Sequence, residues 1–72
     1  MLTVLYIGDK LRQTRKRALL TQQQLADKSG VGIVTIVRIE RNQVEPQART
    51  IRKLAEALGV EPQELLEGVA GG

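Results

Sequence analysis

The side chains of this chain that could do chemistry are cations and amides rather than nucleophiles or metal ligands. Its 72 residues include no histidine and no cysteine. This removes the commonest general base, the usual zinc ligands and every Ser-His or Cys-His nucleophile. Tyr6 is the single aromatic residue, so stacking platforms for single-stranded nucleic acid are absent. We therefore expect a protein that is not an enzyme, holds no metal and needs no cofactor.

The charge is distributed unevenly along the chain. The formal net charge is +3, from eleven basic and eight acidic residues. Residues 1–53 hold all eleven basic residues and four acids, a net charge of +7, whereas residues 54–72 hold four glutamates and no cation. A basic body with an acidic end indicates a polyanionic partner for one face of the protein.

Length and composition predict one small globular domain. A chain with 42% hydrophobic and 26% charged residues is typical of a folded protein, and 72 residues leave no room for a separate small-molecule domain. Met1–Ile7 is apolar but lacks the basic start of a secretory signal, and nothing approaches the ~20 apolar residues of a membrane span. We therefore expect a cytoplasmic protein without a membrane partner.

Periodicity and capping residues predict helices in four segments. These segments are Asp9–Leu19, Gln22–Ser29, Gln47–Leu58 and Glu61–Glu67. Thr21 followed by Gln24 is typical of a capping box, which marks the start of the second segment. Gly30 is expected in the left-handed conformation after that segment, and Gly59 is expected to stop the third.

Residues 32–41 fit two kinds of secondary structure. Six of them are β-branched, so propensity alone predicts a strand. As a helix, the segment would place Ile36 and Ile39 on an inward face and the remaining aliphatic residues on an outward face. The hydrophobic period does not decide between the two because the segment is apolar nearly all round.

The ends of the chain and its core follow from the same pattern. Residues 1–7 alternate weakly and predict an N-terminal arm or short strand, residues 8–68 the domain, and residues 69–72 a flexible tail. The predicted core consists of Leu11, Leu25, Ala26, Val31, Ile36, Ile39, Ile51, Leu54, Leu58, Val60 and Leu65. Arg15 falls on the inward stripe of the first helix with Leu11 and Ala18, and Thr14 lies alongside. A guanidinium in that stripe needs a partner.

Several motifs occur together in the order of one known domain. They are Gln-Gln-Gln-Leu-Ala (22–26), Gly-Val (30–31), Thr-Ile-Val-Arg-Ile-Glu (35–40) and Leu-Ala-Glu-Ala-Leu-Gly-Val (54–60). Over about residues 7–67 the chain resembles the Cro/cI-type helix-turn-helix domain of phage repressors and bacterial xenobiotic-response regulators. The resemblance implies an all-α fold, a compact five-helix bundle like the DNA-binding domain of lambda repressor. It also implies that residues 33–41 form a helix.

The resemblance implies a role for each side chain near that helix. Gln22–Ser29 would position Ile33–Arg41 in the major groove of double-stranded DNA. The implied base contacts are Ile33, Val34, Thr35, Val37 and Arg38. The implied phosphate contacts are Thr21, Gln22, Arg41, Asn42, Gln43 and Arg49. Arg15 and Glu40 are implied to form a buried ion pair, which agrees with the need of a buried guanidinium for a carboxylate.

The aliphatic residues of the recognition surface leave two functions open. The first is a sequence-specific, repressor-like transcriptional regulator in which Arg38 reads a guanine and the aliphatic side chains contact thymine methyl groups. The second is a protein-interaction module that presents Ile33, Val34 and Val37 to a protein partner. The net positive charge of residues 1–53 favours DNA. Phage repressors, restriction-modification controllers and antitoxins all share this layout.

Assembly and one turn are further expectations. A domain this small gains stability and a palindromic footprint from two-fold symmetry, so we expect a homodimer. Its surface would be either the N-terminal arm or the C-terminal end around Leu65, Leu66 and Val69. Leu19 occupies a position where relatives commonly have a glycine, at the turn between the first two helices.

Overall fold

The computed structural model describes residues 6–67, and this part of the chain is entirely helical outside its turns. The helices are α1 (Gly8–Arg17), α2 (Gln22–Ser29), α3 (Ile33–Glu40), α4 (Ala48–Leu58) and α5 (Pro62–Leu66). The predicted all-α bundle of five helices is therefore confirmed, with helix ends shifted by one or two residues. Most of the expected arm and the whole of the expected tail lie outside the described residues.

The core predicted from the periodic faces is buried at the centre of the bundle, with two exceptions. Leu58 and Val60 are only half-buried and pack against the edge of the core. Ile7, which the sequence assigned to the arm, is instead a core residue and the N-cap of α1. Ala18 is exposed rather than inward, because α1 has already ended before it.

Helix α3 forms in spite of its six β-branched residues. Ile36 and Ile39 are completely buried, which only a helical period allows for two residues three apart that face the same core. Both α1 and α2 pack on α3. Burial against these two helices outweighs the strand propensity, because β-propensity depends mainly on the packing that surrounds each side chain.

Each of the first four helices is followed by a residue in the left-handed conformation. These residues are Leu19 (φ 60°), Gly30 (φ 76°), Asn42 (φ 57°) and Gly59 (φ 71°). After α3 the N–H of Gln43 donates to the carbonyl oxygen of Arg38 at 2.9 Å, and the same type of bond follows α1 and α4. This arrangement closes the helix ends and gives sharp turns. Glycine occupies only two of the four positions.

The first residue of α1 packs directly on the last turn of α3. A Cβ atom at Gly8 would lie 2.5 Å from the backbone oxygen of Glu40 and 2.7 Å from that of Ile39. No side chain larger than hydrogen fits there. The sequence contained no sign of this contact between Gly8 and the end of α3.

Candidate nucleic-acid interface

The first turn of α2 is built as predicted from the sequence. The hydroxyl of Thr21 accepts from the N–H of Gln24 at 3.0 Å, and the side-chain oxygen of Gln24 accepts from the N–H of Thr21 at 2.8 Å. This capping box fixes the start of α2. The remaining N–H groups of the first turn form the positive end of the helix dipole, which favours an anion.

The turn between α2 and α3 sets the angle between the two helices. Gly30 adopts the left-handed conformation, as expected, and its N–H donates to the carbonyl oxygen of Ala26 at 3.0 Å. Val31 then enters the core, while its N–H donates to the hydroxyl of Ser29 at 3.1 Å. Gly32 is the N-cap of α3. A tight turn with a buried plug holds the outer face of α3 in a fixed orientation.

The outer face of α3 exposes one aliphatic and two polar side chains. Val34 has 59% of its surface exposed, and Thr35 and Arg38 are exposed beside it. Ile33 and Val37 are half-buried, and Ile33 packs against the core. The three aliphatic residues that the sequence placed on this face therefore differ in exposure, because only Val34 projects from the surface.

A buried ion pair supports the end of α3. Nε of Arg15 donates to Oε2 of Glu40 at 2.7 Å, and Nη2 donates to Oε1 at 3.0 Å. Nη1 donates to the backbone oxygen of Leu20 at 2.9 Å. One guanidinium thus connects α1, the following turn and α3. Paired donors and acceptors are what make a buried charge tolerable.

The side chain of Gln22 is oriented towards α3. Its Nε2 donates to Oε1 of Glu40 at 3.2 Å, so Gln22 joins the same network as Arg15. The sequence implied a phosphate contact for Gln22 and provided no sign of this bond between residues 18 positions apart. The backbone N–H groups at the start of α2 keep the same orientation whichever way this side chain points.

Further polar and cationic side chains lie in the turn after α3 and at the start of α4. Arg41, Gln43 and Arg49 are all exposed. Arg49 lies in the first turn of α4, which contains no acidic residue. Asn42 is also exposed, but its Oδ1 accepts from the N–H of Gly8 at 2.9 Å. The expected phosphate contacts therefore lie at the start of α2, after α3 and at the start of α4. Three of them, Thr21, Gln22 and Asn42, also use their side chains in contacts within the protein.

Within residues 6–67 no group of acidic side chains is arranged to hold a metal ion. In the same part of the chain no helix is long and apolar enough to cross a membrane.

Sequence comparison finds related proteins that match most of this chain. A family model described as helix-turn-helix matches residues 11–65, a range that contains both α2 and α3. The HTH-type transcriptional repressor RghR of Bacillus subtilis is 46% identical over 65 residues, which cover 89% of this chain and 47% of that protein. The chain spans less than half the length of the curated relatives it matches.

Two solved structures have folds similar to that of this chain. The restriction-modification controller protein C.AhdI from Aeromonas hydrophila has a TM-score of 0.80 at 38% identity, over 85% of this chain and 92% of that chain. The c2 repressor of Salmonella phage P22, solved in complex with a synthetic operator, has a TM-score of 0.77 at 34% identity. That match covers 86% of this chain and 94% of the repressor chain.

Proposed function

We propose that this chain, which belongs to the Cro/cI-type helix-turn-helix family, binds double-stranded DNA as a transcriptional repressor. The observation that carries the proposal is the outer face of α3, where Val34, Thr35 and Arg38 are exposed on a helix held by a buried ion pair. The repressor RghR and the operator complex of the P22 repressor support it by similarity. The bound DNA and the protein would meet in the cytoplasm.

Base recognition is assigned to the outer face of α3. Arg38 can donate two hydrogen bonds to the O6 and N7 atoms of a guanine, and Thr35 can donate to a neighbouring base. Val34 can contact the methyl group of a thymine, which is the apolar feature of the major groove. Ile33 and Val37 are half-buried, and their exposed parts would border this contact and exclude water from it.

Phosphate binding is assigned to the residues around α3. Three exposed side chains can bind the phosphate backbone of the DNA. Arg41 and Gln43 lie at the end of α3, and Arg49 lies at the start of α4. Thr21 and Gln22 would bind a phosphate at the start of α2, where the backbone N–H groups and the helix dipole favour an anion. Since Gln22 also donates to Glu40, this contact would rely on its backbone N–H. Asn42 completes the proposed set.

One observation favours a second function. Val34 is an exposed aliphatic residue on a surface where a hydrogen-bonding side chain would read a base edge. A protein partner could bury Val34 together with Ile33 and Val37. In that case the chain would be an interaction module with the fold of a DNA-binding domain.

A salt series of binding to random duplex DNA tests the proposal. Strong binding whose affinity falls steeply with salt concentration is expected, because each neutralised phosphate releases counterions. Arg41→Ala should weaken binding to all sequences alike and lower the salt slope by about 1. Arg52→Ala, which removes an exposed cation of α4 outside the proposed contacts, is the matched control.

Selection of bound sites from a random duplex pool then tests base recognition. Arg38→Ala should lose about 1–3 kcal/mol on the selected site and relax the preference at one base pair. The interaction module would replace the DNA-binding proposal if the wild type shows no salt-dependent binding to duplex DNA. It would also replace it if Val34→Ser leaves DNA affinity unchanged but abolishes binding to a protein partner.

A further inference from the structure

The residue after the C-cap of α3 occupies an unusual position in the fold. Asn42 is in the left-handed conformation at φ 57°, and its N–H donates to the carbonyl oxygen of Ile39 at 3.0 Å. Glycine adopts this conformation without cost, and asparagine is one of the few other residues that visit it routinely. The backbone of the turn would accept glycine, so the side chain of Asn42 needs an explanation of its own.

The side-chain oxygen of Asn42 caps the first turn of α1. Its Oδ1 accepts from the N–H of Gly8 at 2.9 Å, across 34 positions of the chain. The first N–H groups of a helix have no partner within it, and the N-cap residue of α1, Ile7, provides no side-chain cap. Asn42 therefore provides the acceptor from another part of the fold.

This bond determines which end of the amide faces α1. Only the oxygen of an asparagine side chain can accept from an N–H, so the oxygen must lie at Gly8 and the nitrogen must lie elsewhere. A Cβ atom at Gly8 would lie 2.5 Å from this oxygen, so the two residues are in close contact. The orientation of the amide is therefore fixed before any ligand binds.

The other end of the same amide is a hydrogen-bond donor in an exposed turn. Asn42 is exposed, as are its neighbours Arg41 and Gln43. We propose that Asn42 acts from both ends of its amide, with Oδ1 capping α1 and Nδ2 donating to a phosphate of the bound duplex. The inference rests on the proposed DNA binding and adds the reason why this donor is already oriented in the free protein.

The cap also connects the phosphate-binding turn to the body of the domain. Through Arg15, helix α1 already binds the side chain of Glu40, two residues before Asn42. Its first residue, Gly8, binds Asn42 itself. Two contacts from one helix, the ion pair and the cap, therefore fix the end of α3 and the turn after it. A phosphate contact by Asn42 would then also fix the depth of α3 in the groove.

The variant Asn42→Asp tests the roles of the two ends of the amide separately. A carboxylate keeps an acceptor for the N–H of Gly8 at the positive end of α1, but it places a negative charge where Nδ2 would donate. We expect thermal unfolding like that of the wild type. We also expect affinity for random duplex DNA at fixed salt to fall by about tenfold or more, as for the loss of a hydrogen bond to a charged group.

Two further variants serve as controls. Gln63→Glu makes the same change in net charge at an exposed residue of α5, outside the proposed interface, and should bind almost as the wild type does. Asn42→Gly keeps a residue suited to the left-handed turn but removes both ends of the amide. It should therefore melt at a lower temperature than Asn42→Asp and also bind DNA more weakly than the wild type.

Three outcomes would overturn the inference. If Asn42→Asp binds DNA as tightly as Gln63→Glu, Nδ2 contacts no phosphate. If Asn42→Asp melts as low as Asn42→Gly, the cap on α1 does not act as described. If the wild type fails to bind duplex DNA, the proposed function itself fails and the phosphate contact fails with it. That last case is recognised from the wild type alone, before any variant is compared.

Discussion

At the scale of single residues, Arg15 shows how a charge can stand inside a small domain. All three of its side-chain nitrogens donate, to two oxygens of Glu40 and to one backbone oxygen. The sequence implied this pair through its resemblance to a family, and the inward position of Arg15 demanded an acidic partner. The involvement of Gln22 emerged only from the structure, because nothing in the sequence indicates where a glutamine at the start of a helix will point.

Removing one member of the pair should be strongly destabilising. Arg15→Ala or Glu40→Ala alone should lower the free energy of unfolding by about 3–5 kcal/mol, because each leaves a buried charge without its partner. Chemical denaturation measures the effect. Arg12→Ala is the control, since Arg12 pairs with Asp9 on the surface and should cost at most ~1 kcal/mol. If Arg12→Ala lowers the free energy of unfolding as much as Arg15→Ala does, burial does not determine what an ion pair contributes to stability.

Leu19 carries conformational strain that a glycine would remove. Its φ is 60° and 88% of its surface is exposed, so the side chain contributes little packing to offset a left-handed backbone. Since that conformation costs an L-residue roughly 1–2 kcal/mol, Leu19→Gly should raise the free energy of unfolding by about 1 kcal/mol.

The opposite change provides the comparison for Leu19. Gly59 has φ 71°, and a Cβ atom there would meet nothing within 4 Å. Gly59→Ala should therefore destabilise the protein by about 1 kcal/mol through backbone conformation alone. Denaturation midpoints of the two variants should shift in opposite directions. A loss of stability in Leu19→Gly would mean that the exposed leucine makes contacts that matter.

At the scale of elements, the junction between α1 and α3 requires a glycine at a helical position where propensity alone would favour alanine. Alanine is the better helix former by about 0.5–1 kcal/mol, yet Gly8→Ala should destabilise the protein by about 1–3 kcal/mol. The reason is that its Cβ atom would lie 2.5 Å from the backbone oxygen of Glu40, which cannot move without disturbing α3. Thermal or chemical unfolding measures the change.

Another glycine gives the matched control for this junction. A Cβ atom at Gly32, the N-cap of α3, would lie 3.9 Å from the hydroxyl of Thr35, which is an ordinary contact. Gly32→Ala should cost about 1 kcal/mol or less, the usual effect of an alanine at an N-cap. If Gly8→Ala costs no more than Gly32→Ala, α1 is free to move away from the end of α3.

At the scale of the whole molecule, the expected homodimer has a narrower choice of surface than the sequence suggested. Leu65 is completely buried in the core of one copy and offers nothing to a partner, whereas 37% of the surface of Leu66 is exposed. The third residue of that expected surface, Val69, lies outside the described residues. Tyr6, at the end of the expected arm, is also exposed.

The expected dimer predicts a measurable spacing between the two half-sites on DNA. Two copies related by a two-fold axis should place their α3 helices about 34 Å apart, to enter successive major grooves on one side of the duplex. We expect sedimentation equilibrium to show a dimer and the selected sites to be palindromes with half-sites about 10 base pairs apart. A chain that stays monomeric at high micromolar concentration and selects single half-sites would contradict the prediction.

The sequence by itself determined four of the five helices and the family. Hydrophobic periods, the capping box at Thr21 and the glycine stop at Gly30 act over a few residues, so they can be recognised in the chain without its fold. Read as a helix, residues 33–41 were also expected to turn Ile36 and Ile39 inward, which the structure confirms. The expected phosphate contacts came from the resemblance to a family and not from a pattern of their own.

The tertiary structure decided whatever depends on contacts between distant residues. It made residues 33–40 a helix against their strand propensity, because burial of Ile36 and Ile39 against two other helices is worth more than a local preference. It also showed that Gly8 must be small, that the oxygen of Asn42 caps α1 and that Val34 is the exposed aliphatic residue. The first two facts follow from the approach of the ends of α1 and α3 in space, which no spacing along the chain indicates.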